Sequence, residues 1–201
     1  MKKMIFVIFV LSLFSCASNE VKIENYENPS KALLVIDMQI DYIGENGKFT
    51  IENSQIENLV NMTNEIIEYF FENNDTIIYF RNLFKENDFK NRFRNYAVVE
   101  GTLGAEIDPR INILSENIFD KYSPNAFTNN AFQNFLKNSK INELYLCGVM
   151  ADECVYETAL GALNIGYIVN YYGNAVGSSS KRNIEKTIKK LKKRGINIVN
   201  Y

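Results

Sequence analysis

"ELYLCGVMADECVYETALGALNIGYIVNYY", residues 143–172, contains two short apolar runs separated by a stretch of different character. Residues 143–148 and 167–172 are apolar with little polar alternation, as expected of strands buried on both faces. Between them, about Asp152 to Asn164 reads as a helix. A strand, a helix and a second strand in succession build a parallel pair joined by a crossover. The same alternation continues outward in both directions. Strands are predicted at 32–37, 76–80, 117–121 and 196–200, and helices at 55–73, 130–139 and 180–194. Ile56, Leu59, Val60, Ile66, Ile67 and Phe70 recur at helical spacing in the first of those helices. The expected fold is α/β: a doubly wound, six-stranded parallel sheet with helices on both faces, a Rossmann-like three-layer sandwich. Residues 81–110 are polar and irregular, a long flank to an active site or an oligomer contact. "GNAVGSSSK" (173–181) reads as a loop and helix cap, because its lysine is misplaced for a phosphate loop.

The chain has 201 residues, 46% of them hydrophobic and 23% charged, with a net charge of −2. That suits one globular domain and offers no electrostatic reason to expect nucleic acid as a partner. Histidine is absent. Ser-His-Asp and Cys-His catalysis and every His-ligated metal site are thereby removed, and acid–base work falls to Asp, Glu, Lys, Tyr or Cys.

The N-terminus, "MKKMIFVIFVLSLFSCASNE", opens with two lysines followed by an apolar run from Met4 to Phe14, too short to span a bilayer comfortably. It reads as a signal peptide over 1–15. "LFSC" (13–16) resembles a bacterial lipobox, with Phe14 where a smaller residue is usual, so Cys16 is expected to carry lipid. Residues 16–30 would then be a lipidated tether and 31–201 the folded domain, held at a bacterial cell envelope with the membrane as partner through the lipid. Cys147 and Cys154 remain, and a disulfide between them would have to cross a tight strand-to-helix turn.

In a doubly wound sheet, the active site lies outside the carboxyl ends of the strands. Asp37 and Lys121 end predicted strands, and Cys154 follows one near the start of a helix. Each alone has a structural explanation as a turn cap, a solvated strand end or a core thiol. Together they provide a nucleophile, an ammonium and a carboxylate. The ammonium and a helix N-terminus favour the thiolate, and Asp37 can take the thiol's proton and return it to a leaving amine.

"LLVIDMQIDY" (33–42), "FDKYSPNAF" (119–127) and "CGVMADECVYETALGA" (147–162) together resemble the isochorismatase-like cysteine hydrolases, whose relatives include nicotinamidases and N-carbamoylsarcosine amidase. "GTLGAEI" (101–107) is similar to a segment found between the second and third strands of that family. The resemblance covers residues 31–201. It implies Asp37 as general base and acid, Lys121 as electrostatic partner and Cys154 as nucleophile. It also implies a cis peptide between Val149 and Met150 and an oxyanion hole from the Met150 and Cys154 amides. Within the same motifs, Gln39, Tyr42 and Phe127 are expected to line the substrate pocket.

Nicotinamidases bind a metal through an Asp and histidines after the second strand, where this chain reads "FRNLFKENDF" (80–89). No metal or other cofactor is therefore expected. Members that cleave the vinyl ether of isochorismate commonly lack the cysteine. The implied activity is hydrolysis of a small amide, ureido or carbamoyl C–N bond through a thioester acyl-enzyme. Segments such as 42–54 and 81–104 would set the substrate, often completed in this family by a neighbouring subunit of a homo-oligomer. Two alternatives stay open: a non-catalytic envelope lipoprotein that binds a small molecule, and a thiol redox sensor using Cys147 and Cys154.

Overall fold

The computed structural model describes residue 23 and residues 26–201. The expected signal peptide (1–15) and Cys16 lie outside the described residues. Six parallel strands form one sheet: β1 (Ser30–Ile36), β2 (Thr76–Asn82), β3 (Ile118–Lys121), β4 (Ile141–Val149), β5 (Ile168–Gly177) and β6 (Asn197–Val199). Their order is β3-β2-β1-β4-β5-β6, the doubly wound arrangement the alternation predicted. The central strand β1 pairs with β2 on one side and β4 on the other, and Ala32 to Ile36 are buried.

Two apolar layers sandwich the sheet. On one face lie α3 (Asn130–Asn138), α4 (Cys154–Ile165) and α5 (Lys181–Lys193), packed through Phe132, Leu136, Val155, Ala159 and Leu191. On the other lies α2 (Asn53–Glu72), whose stripe of Leu59, Val60, Ile66, Ile67 and Phe70 is buried against the strands. Each such side chain contributes roughly 1.5–3 kcal/mol by leaving water. The irregular segment between β2 and β3 completes that second layer with Val98, Ala105 and Ile111. Three helices cover one face, and one helix plus a long loop cover the other.

The structure departs from the sequence reading in three places. Residues 173–177, read as loop, belong to β5. The register jumps between Leu146 and Gly148, so that pairing resumes as Gly148 with Val176 and Val149 with Gly177. Gly173, Asn174 and Gly177 weaken the local strand signal, and cross-strand pairing overrides it. Ser180 caps α5 as expected, its hydroxyl accepting from the Asn183 amide. A single helical turn, α1 (Ile40–Ile43), is too short to show a period. Finally, part of the expected 16–30 tether is structured: Ser30 opens β1, and the Ile23 amide donates to Ile165 O at 3.1 Å.

Candidate active site

The strand order reverses between β1 and β4, and the carboxyl ends of these strands carry Asp37 and the turn leading to Cys154. Asp37 leaves β1 with φ of 56°, a left-handed conformation that Asp tolerates better than most residues. Its amide donates to Phe80 O on β2, tying the turn to the sheet. Lys121, the last residue of β3, reaches across the end of β2 to the same point. Its Nζ lies 2.8 Å from Asp37 Oδ2, and both side chains are fully buried. The ammonium also donates to Asn82 Oδ1 and to Ser123 O, both at 3.2 Å. All of its donors therefore have acceptors.

Cys154 is the first residue of α4 and is 6% exposed. Gly148 makes the approach to it: a Cβ there would sit 2.1 Å from Ile36 O, and φ is +114°. The Val149–Met150 peptide is cis. The turn is then pinned by β5, with Ala151 N donating to Gly177 O at 2.7 Å, Tyr171 Oη to Ala151 O at 3.1 Å and Ser178 Oγ to Asp152 Oδ1 at 2.5 Å. The β5 extension misread as loop thus helps hold the turn that leads to Cys154. The Cys154 amide belongs to a helical first turn, whose N–H groups have no partner within the helix.

Electrostatics at the site pull in both directions. Burial pushes the Cys154 thiol up to about 12, Asp37 adds to the rise, and Lys121 pulls against it without winning. Burial and Asp37 thus outweigh the helix N-terminus and the ammonium, which favour the thiolate. Burial raises Asp37 as well, and the opposing Lys121 charge does not cancel it. Burial works against the Lys121 ammonium, but the acidic groups around it raise its pKa overall. The Cys154 thiol and the Asp37 carboxylate are within hydrogen-bonding reach of each other. A buried carboxylate beside a thiol is a proton acceptor next to its donor.

Of the expected pocket residues, Tyr42 alone lines the cavity of about 340 Å³ that contains Cys154 and Met150. Gln39 is a clamp instead. Its Nε2 donates to Asn82 O and Ala105 O at 3.0 and 2.7 Å, and its Oε1 accepts from Asn82 N at 2.8 Å. A side-chain amide so fully used has nothing left for a substrate. Phe127 lies in the helix-covered layer, with ring centroids 5.1 Å from Phe132 and 5.5 Å from Tyr167. Sequence reasoning missed Asn82, which Gln39 fixes through its backbone and which contacts both Lys121 and Tyr42 Oη, the latter at 3.2 Å. It also missed Arg94, a cavity-lining residue whose guanidinium lies over the Phe84 ring. Only its place in an unusually long loop could have pointed to it.

The segment after β2 does not suit a metal. The Asn82 side-chain amide is spent on Lys121 and Tyr42, and Phe84 offers no donor. Among the described residues, no three His, Cys, Asp or Glu side chains form a group that could hold an ion. Cys147 and Cys154 are both free and buried, and they pack in the layers on opposite faces of the sheet. That placement removes the basis for a redox pair.

The Isochorismatase domain family matches residues 31–200. Among curated proteins, the chain is 26% identical over 158 residues to an uncharacterized isochorismatase family protein of Bacillus subtilis, YddQ, covering 78% of this chain and 83% of that one. It is 28% identical over 150 residues to a probable inactive nicotinamidase of Arabidopsis thaliana, covering 68% and 74%. Among solved structures, a pyrazinamidase of Pyrococcus horikoshii in complex with zinc superposes with a TM-score of 0.77 at 28% identity, covering 86% of this chain and 100% of that one. The residues here do not fit that zinc. The chain belongs to the isochorismatase family of hydrolases.

Proposed function

We propose that this protein hydrolyses a small amide, ureido or carbamoyl C–N bond through a thioester on Cys154. The observation that carries the reading is the fully buried Asp37–Lys121 pair set against a buried cysteine at the start of α4. A buried ion pair of this kind is a poor stability device, because two charges must leave water to form it. Beside a thiol it has a chemical use.

As the sulfur attacks the substrate carbonyl, the thiol proton passes to Asp37. The raised carboxyl accepts it more readily than an ordinary aspartate would, which suits a buried thiol that is itself hard to ionise. The Met150 and Cys154 amides are the assigned donors to the oxyanion. Asp37 then gives its proton to the leaving nitrogen, the C–N bond breaks, and a thioester remains. Asp37 takes a proton from water, the hydroxide adds to the thioester, and the C–S bond breaks. The carboxylic or carbamic acid leaves, and the thiol is re-formed with the proton held on Asp37. Lys121 stays charged throughout and limits the cost of charge on Asp37 and the sulfur. No step needs an ion, so chelation should leave turnover unchanged.

The rival is a binding module without turnover, a reading supported by the relative described as probably inactive. The convergence of Asp37, Lys121 and Cys154 disfavours it, since binding alone asks for no ion pair beside a thiol. The test is a screen of the purified chain against small amides and ureas, with acid-quenched mass spectrometry of Cys154. An acyl adduct on Cys154, with turnover lost in Cys154→Ala, is the expected result. Undiminished turnover in that variant overturns the mechanism, and no turnover on any amide favours the rival.

A further inference from the structure

Arg94 lines the same cavity as Cys154 and is held there on two sides. Its Cζ lies 3.6 Å from the centroid of the Phe84 ring, so the cation rests on an aromatic face. Its Nη1 donates to Asp88 Oδ2 at 3.2 Å. Asp88 is fixed in turn, its Oδ1 accepting from the Lys90 amide at 2.9 Å. The loop that follows is pinned from within. Asn95, Tyr96 and Val98 have φ of 51°, 56° and 47°, and buried Asp41 Oδ2 accepts from the Val98 amide at 2.8 Å. A β-branched residue in that region persists only when its surroundings hold it there.

The fork is only partly used. Nε and Nη2 of Arg94 make no hydrogen bond to any described residue. Asp88 and Glu153 balance the two cations Lys90 and Arg94 in the charge of the whole lining, so the attraction for an anion rests on the open fork of Arg94 rather than on a net charge. A guanidinium offers paired N–H groups that match a carboxylate in the plane of the fork. Because the ring and Asp88 already hold it, little side-chain freedom is lost when it binds.

We propose that Arg94 receives a carboxylate on the substrate, so that the pocket selects small amides or ureido compounds that carry an anionic group at the end away from the scissile bond. The inference rests on the reading of Cys154 as nucleophile and adds the class of substrate. Arg94 selects and orients; it touches no reacting atom.

Two alkylating reagents of nearly the same size test this on the purified full chain. Iodoacetate carries the carboxylate, and iodoacetamide is its neutral counterpart. The rate at Cys154 is read by peptide mass spectrometry, and the iodoacetate-to-iodoacetamide ratio is compared with that of N-acetylcysteine. Taking the ratio cancels the intrinsic reactivity of the thiol. A ratio raised at least about tenfold is expected, falling to the N-acetylcysteine value in Arg94→Met, which keeps an apolar contact with Phe84. Arg94→Lys keeps the charge without the fork and should retain part of the preference, which guards against a folding defect in the first variant. A ratio equal to that of N-acetylcysteine, or a raised ratio that survives Arg94→Met, overturns the inference. Turnover of neutral amides alongside an unraised ratio sinks this inference alone. A raised, Arg94-dependent ratio without turnover of any amide keeps the anion site and sinks the hydrolase mechanism. If neither reagent labels Cys154, both readings are overturned.

Discussion

In the proposed mechanism Asp37 meets two opposing demands: it must be basic enough to take a thiol proton and acidic enough to return it to nitrogen. Burial raises its pKa and Lys121 restrains the rise, so the carboxyl holds a proton more readily than it would in water. Replacing Asp37 therefore separates two properties of Cys154 that usually change together. Asp37→Asn should lower turnover by about 10²–10⁴-fold, because no histidine can substitute. It should also speed alkylation of Cys154 at neutral pH, since the nearby negative charge that raises the thiol's pKa is gone while Lys121 remains. Lys121→Ala moves labelling the other way. It also leaves Asp37 buried without a partner, at a cost of about 3–5 kcal/mol. Labelling rates against pH, with urea titrations for stability, check both variants. If Asp37→Asn labels more slowly than the parent, the electrostatic account of the site is wrong.

At the scale of elements, β4 delivers a cysteine to each face of the sheet. Cys154 follows its end, and Cys147 lies within it, buried in the α2 layer with its thiol donating weakly to Leu34 O at 3.7 Å. Burial alone pushes the Cys147 thiol far above its ordinary value. A thiol whose pKa is raised by folding contributes stability below its unfolded value of about 8.5, and that contribution is lost as pH climbs above it. The loss approaches about 1.4 kcal/mol per pH unit for one thiol, because the unfolded chain releases a proton that the folded chain keeps. Urea titrations between about pH 8 and about pH 10 should show stability falling less steeply in Cys147→Ala by that amount. Equal slopes would mean that water reaches Cys147 in the folded state. Strand and helix positions on both sides of this element were legible because buried parallel strands are uniformly apolar. The extension of β5 was not, because its pairing with Gly148 and Val149 is a long-range contact between segments of weak local preference.

For the whole molecule, the N-terminal run and "LFSC" bear on where the domain works. We propose that Cys16 is lipidated and holds the domain at a bacterial envelope. In a bacterial host, the parent chain should enter the detergent phase on phase partition, and Cys16→Ala should move to the aqueous phase; an unchanged partition would sink the idea. The sequence by itself determined the layered parallel sheet, since strand and helix periods follow from which residues must leave water. Its spaced motifs also singled out Asp37, Lys121 and Cys154, whose positions at or after strand ends put them on the carboxyl edge of a doubly wound sheet. Only the tertiary structure decided what those groups are. Burial raises the pKa of the Cys154 thiol, an effect of the surrounding dielectric that no local pattern records. It turned Gln39 from an expected substrate contact into a clamp on Asn82, because the partners that consume its amide lie 43 and 66 residues away. It laid Arg94 on Phe84, a contact set by the path of an irregular loop that hydrophobic periodicity cannot describe.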